Sequence, residues 1–258
     1  MKKSKAFLLG AGILSASFLM VACSSAQSNT DKTYSYVFAS NPDTLDYITS
    51  TRGSTSSITT NLIDGLLEND KYGNLVPSMA ESWTVSKDGL TYTYKIRQGA
   101  KWYTSEGEEY AEVTAHDFVT GLKYAADKKA ENLYLVRDSI KGLADYVEGK
   151  TSDFETVGVK AVDDYTLQYT LNKPESYWNS KTTGGILSPV NEAFLKSKGD
   201  DFGSVTPSSI LSNGPYLFKS FTSKSLIEFE KNPNYWDKDN VKIEKVKLSF
   251  YDGSDQDS

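Results

Sequence analysis

Cysteine and histidine are nearly missing from this chain of 258 residues: each occurs once, as Cys23 and His116. A single cysteine cannot close an internal disulfide, so a lone thiol is better explained by its reactivity than by packing. Ser-His-Asp and Cys-His chemistry would have to run through His116, and a polar residue at the second position of an expected helix has an ordinary reason to be there. A transition-metal site built on His and Cys has no set of ligands, so no metal and no cofactor is expected. Basic residues are outnumbered, 28 Lys and Arg against 34 Asp and Glu, and form no run, which argues against nucleic acid as a partner. Gly184-Gly185 lacks the Lys-Ser/Thr of a phosphate loop, and the acidic stretch from Asp252 to Asp257 lacks the spacing of a calcium loop. The acids at Glu106, Glu108 and Glu109 lie in polar, turn-like surroundings and read as a solvated loop rather than a glycosidase pair. No enzymatic activity is expected.

Long apolar runs are absent after Ala22. Before it, Lys2, Lys3 and Lys5 precede an apolar stretch from Ala6 to Ala22, too short for a membrane-spanning helix and suited to a secretory leader. Cys23 follows Leu19-Met20-Val21-Ala22, which resembles a bacterial lipobox. The expectation is a signal peptide over residues 1–22, lipidation at Cys23 and a polar tether over residues 23–32. Such a chain would sit lipid-anchored on the extracytoplasmic face of the bacterial cell membrane.

The remainder alternates between strand and helix signals. Strands are expected from Tyr34 to Ala39, over both arms of a hairpin turning at Asp88-Gly89, over a second hairpin from Val157 to Leu171, in the pair Tyr216 to Phe221 and Ser225 to Lys231, and around Val246, Leu248 and Phe250. Helical spacing marks Thr55 to Leu67; a capping-box-like Thr114 and Asp117 open a second helix; Ser188-Pro189 opens a third that closes at Gly199. Trp83, Trp102, Trp178 and Trp236 are expected in the core. The mixture predicts an α/β fold of the mixed α+β kind.

Five stretches carry a family resemblance. Ala80 to Trp102 (AESWTVSKDGLTYTYKIRQGAKW) resembles the signature of the peptide/nickel/dipeptide solute-binding family. Asn41 to Asp46 (NPDTLD), Val113 to Val119 (VTAHDFV), Ser212 to Phe218 (SNGPYLF) and Lys231 to Asp237 (KNPNYWD) are similar to four further landmarks, in family order. The chain resembles in particular the oligopeptide-binding lipoproteins of Gram-positive ABC importers.

The resemblance implies the first lobe of a periplasmic-binding-protein-like two-lobe fold. Its sheet-bearing part would be residues 33–53 and 155–251, with a smaller α+β domain inserted over residues 54–154. Residues 252–258 would begin the crossing to a second lobe, before which the sequence is expected to be truncated. Oligopeptides and the membrane subunits of an ABC transporter are the implied partners. The extended edge at Thr51, Arg52 and Gly53 would pair with a peptide backbone by strand addition. Asn213, Gly214 and Tyr216 would lie near the crossing. Arg52 is read either as a partner for a ligand carboxylate or as an ordinary exposed arginine, and Gly214 either as a ligand neighbour or as a turn residue. Two functions follow: peptide capture for import, impaired by truncation, or a non-transporting surface lipoprotein or partner-binding fragment with little peptide affinity.

Overall fold

The computed structural model describes residues 32–38 and 40–250, so the leader, Cys23 and residues 252–258 lie outside the described residues. In chain order the elements are β1 (Thr33–Phe38), α1 (Gly53–Thr59), β2 (Leu67–Asn69), β3 (Leu75–Pro77), β4 (Ala80–Val85), β5 (Thr91–Ile96), β6 (Lys101–Tyr103), β7 (Glu109–Glu112), α2 (Ala115–Asp127), α3 (Leu143–Val147), β8 (Val159–Asp163), β9 (Thr166–Thr170), α4 (Trp178–Lys181), α5 (Glu192–Lys198), β10 (Tyr216–Thr222), β11 (Leu226–Lys231) and β12 (Lys245–Phe250).

Two four-stranded sheets organise them, in the orders β1-β12-β11-β10 and β4-β5-β9-β8. The first is mixed: β12 runs parallel to β1 and antiparallel to β11. Period-two alternation explains its two faces. Ile227, Phe229, Val246 and Leu248 are buried on one side. On the other, Lys245 meets Glu230 and Lys247 meets Glu228, both at 3.3 Å, as an ion ladder suited to water.

The second sheet shows why Asp88-Gly89 turns the chain. Gly89 has φ +72°, where a side chain would be strained, and the Asp88 carboxylate accepts from the Leu90 N–H at 3.1 Å. Tyr92, Tyr94 and Ile96 then share the buried face as their spacing predicts, and Tyr92 lies opposite Tyr169. Trp178 packs on both these tyrosines, with ring centroids 6.1 and 5.3 Å away. Helix α2 covers part of this core through Phe118, Leu122, Ala125 and Ala126, and its start carries the expected capping box of Thr114 and Asp117. Trp102 and Trp178 are buried, whereas Trp83 and Trp236 are only half-buried at the core's edge.

Two expectations need correction. The helix predicted over Thr55 to Leu67 stops at Thr59. Ser57, Thr59 and Thr60 hydroxyls donate back to carbonyls four residues earlier, and Asn61 Nδ2 does the same to Ser57, so local side-chain bonds compete with helix continuation. Leu62, Ile63, Leu66 and Leu67 are buried all the same, in a turn and a short strand. The helix expected from Ser188-Pro189 begins at Glu192, because Asn191 caps it by accepting the Phe194 N–H at 3.0 Å. It closes at Gly199 as expected. In the second sheet β9 hydrogen-bonds to β5, so residues 159–170 complete a sheet begun by residues 80–96.

Gly121 marks the tightest approach of α2 to its surroundings. A Cβ there would lie 2.2 Å from the Ser188 carbonyl oxygen, a backbone atom that no rotamer change can move. Gly121→Ala is expected to cost about 1–3 kcal/mol, the usual range for overpacking a filled site, read as a lowered midpoint in urea unfolding.

Candidate functional site

Two buried aspartates bracket α1. The first, Asp46, holds the turn before it. Its carboxylate accepts from the Ile48 and Thr49 N–H groups at 3.1 Å each, from the Thr49 hydroxyl at 2.6 Å and from Tyr124 OH at 2.9 Å. The neighbouring Leu45 N–H donates to the Gly203 carbonyl at 2.6 Å, and Tyr47 OH to that of Pro189 at 2.8 Å. This rigid turn delivers Thr51, Arg52 and Gly53 to the surface, all three exposed. Arg52 has extended backbone, φ −79° and ψ 130°, just before the first helical residue. Thr51 Oγ1 donates to Glu131 Oε2 at 3.0 Å, which ties the edge to the turn after α2. Arg52 Nε pairs with Asp43 Oδ2 at 3.0 Å, an exposed contact that contributes little to stability and leaves the guanidinium free to exchange partners.

The second aspartate, Asp64, organises the turn after α1. Only 7% exposed, its Oδ2 accepts from Tyr235 OH at 2.7 Å and from Trp236 Nε1 at 3.2 Å. Its main chain is clasped by Asn213: the Asp64 N–H donates to Asn213 Oδ1 at 2.9 Å, and Asn213 Nδ2 donates to the Asp64 carbonyl at 3.1 Å. The N–H groups of Asn213 and Gly214 both donate to the Leu62 carbonyl, at 3.1 and 2.9 Å. Arg97 stacks on the Trp236 ring at 3.7 Å and donates to the Ser78 carbonyl through Nε and Nη2, both at 3.2 Å.

The six residues expected at the ligand thus separate into two groups at opposite ends of α1. Thr51, Arg52 and Gly53 are exposed, Arg52 with extended backbone and Gly53 as the first residue of α1. Asn213 and Gly214 are buried, their polar groups committed to the Leu62–Asp64 turn. Tyr216 is half-buried, donating its OH to the Ile243 carbonyl and its N–H to the Asn61 carbonyl, both at 3.1 Å. Asp64, Glu131 and Tyr235 were not singled out by sequence reasoning. A charged residue interrupting Leu62-Ile63-Asp64-Gly65-Leu66-Leu67 was the available signal for the first.

Among the described residues no group of three or more His, Cys, Asp or Glu is placed to hold a metal ion. His116 is exposed beside Asp164 at 3.4 Å. A cleft of about 550 Å³ lined by Glu106, Lys219, Glu230, Lys231, Lys238 and Glu244, among others, contains none of the expected ligand-binding residues.

Burial pushes the Asp64 carboxyl up to about 6, against the opposing pull of its hydrogen bonds from Tyr235 and Trp236. The folded chain therefore takes up a proton as pH falls through about 6, while the unfolded chain waits until about 4. Stability from this group rises on acidification through that window. Asp64→Asn keeps an acceptor for Tyr235 and Trp236 but cannot titrate. The variant is expected to show a smaller gain than the parent in unfolding free energy between about pH 7.5 and pH 5, by about 1.3 kcal/mol, in urea titrations at the two pH values.

Comparison with known proteins gives a consistent picture. Residues 74–258 match the model of the bacterial extracellular solute-binding proteins, family 5. The oligopeptide-binding protein AliA of Streptococcus pneumoniae is 65% identical over 258 residues, covering 99% of this chain and 39% of that protein. Among solved structures, the substrate-binding domain of an oligopeptide ABC transporter from Bacillus anthracis superposes with a TM-score of 0.79 at 32% identity, over 85% of this chain and 41% of that one. Listeria monocytogenes OppA bound to peptide gives 0.78 at 32% identity, over 86% and 43%. The chain spans about 40% of the length of the curated relatives it matches.

Proposed function

From the premise that the chain belongs to the bacterial extracellular solute-binding proteins of family 5, we propose that it contributes one wall of an oligopeptide-binding cleft serving an ABC importer. The observation that carries this reading is the exposed stretch Thr51-Arg52, extended at Arg52 and leading into the exposed helix start at Gly53, held from below by Asp46 and from the side by Glu131. An edge of this kind can hydrogen-bond to a peptide backbone whatever its side chains, which gives affinity without reading sequence. The described residues would form a first lobe, the membrane subunits of the importer would receive the peptide, and Cys23 would carry the lipid that keeps the protein at the extracytoplasmic membrane face. Peptide would be bound and released unaltered.

Gly53→Pro tests the edge with little structural cost. Proline is suited to the first helical position, the preceding Arg52 already has the extended backbone proline requires, and nothing lies within 4 Å of a Cβ at residue 53. The substitution removes one main-chain donor. It is expected to weaken oligopeptide binding about threefold to tenfold by calorimetry while leaving the melting temperature unchanged. Undiminished binding would exclude a role for the Gly53 N–H, and no binding by the parent chain would favour a surface lipoprotein with another partner. Labelling cells with a radioactive fatty acid should mark the parent chain and spare Cys23→Ala.

A further inference from the structure

Asn213-Gly214 was expected at the ligand, yet its polar groups are spent inside the protein, and its chemistry points elsewhere. It is the one Asn-Gly pair in the sequence. Asparagine before glycine is especially open to spontaneous succinimide formation, because glycine puts no side chain in the way of its own main-chain nitrogen. Ring closure requires Asn213 Cγ to swing onto that nitrogen. In the fold the Gly214 N–H donates to the Leu62 carbonyl at 2.9 Å, and both polar atoms of the Asn213 side chain are held by the Asp64 main chain. Asn213 is 2% exposed, and a Cβ at residue 214 would lie 2.8 Å from the Leu62 carbonyl carbon and oxygen, so neither the side chain nor the dipeptide has room to rotate.

We propose that Asn213-Gly214 is a deamidation site which the native clasp on Asp64 holds shut, and that opening of the clasp turns a reversible excursion into a permanent one. Once open, the Gly214 nitrogen attacks Asn213 Cγ. A C–N bond forms, the Cγ–Nδ2 bond breaks, and ammonia leaves with the proton from the Gly214 nitrogen. Water then opens the imide, at Cγ to give aspartate, or at the Asn213 main-chain carbonyl to give isoaspartate with the chain rerouted through the side chain. Aspartate replaces the Nδ2 donor with an oxygen facing the Asp64 carbonyl, and isoaspartate lengthens the main chain by a carbon. Neither can rebuild the clasp.

The test follows conversion of amide to acid at residue 213 by peptide mapping after incubation at mildly alkaline pH. Folded chain is expected to convert at least about tenfold more slowly than chain in urea, the factor set by a modest free energy of local opening. Tyr235→Phe, which removes one bond to Asp64, should fall between them. Equal rates in the folded and unfolded chains would overturn the protection. Asn213→Asp made genetically should unfold at lower urea concentration than the parent; an unchanged midpoint would overturn the claim that the product cannot rebuild the clasp.

Discussion

The Asp64 carboxylate is a buried charge with no cation within ion-pair distance among the described residues, and such a group is tolerated only where hydrogen-bond donors are brought to it. Tyr235 OH and Trp236 Nε1 are those donors. Their delivery constrains much else. Tyr235 and Trp236 follow the end of β11, Asn213 precedes β10, and Arg97, stacked on Trp236, follows β5. One aspartate therefore gathers segments from both four-stranded sheets at the turn that follows α1. A burial that costs free energy in isolation here specifies a unique arrangement of chain.

The family landmarks gain a physical meaning from this convergence. The stretches containing Arg97, Asn213-Gly214 and Tyr235-Trp236 lie far apart in sequence and meet around Leu62–Asp64. The landmark containing Asp46 does comparable work at the other end of α1. These residues mark the framework that presents an edge to solvent, and the edge itself is chemically plain: a threonine, an arginine and a glycine.

Local rules were legible in the sequence and long-range ones were not. Thr114 and Asp117 cap α2, and Asp88-Gly89 turns a hairpin, because each device needs only neighbours within a few residues. The hydrophobic spacing of Ile58, Leu62, Ile63, Leu66 and Leu67 identified buried positions correctly and misassigned their backbone, since a run of hydroxyl side chains stops the helix early. The pairing of β9 with β5 was hidden for another reason: two strands more than seventy residues apart show alternation but not a partner. The bonds that Asn213 makes to the Asp64 main chain were hidden too, because an amide that binds a ligand and one that binds a distant main chain look alike until the fold is seen.

The mixed character of the first sheet has a kinetic side. β1 pairs in parallel with β12, Thr33 opposite Lys245, so a contact spanning about 210 residues completes one edge of the core. Synthesis or translocation from the N-terminus delivers β1 about 210 residues ahead of its partner. In the interval β1 is a strand carrying Tyr34, Tyr36, Val37 and Phe38 with nothing beside it, a surface prone to pair with the wrong chain. The β1-β12 pairing rewards that loop closure only once β12 has arrived, and long-range contacts of this kind tend to slow folding and to prolong the exposure of the waiting strand.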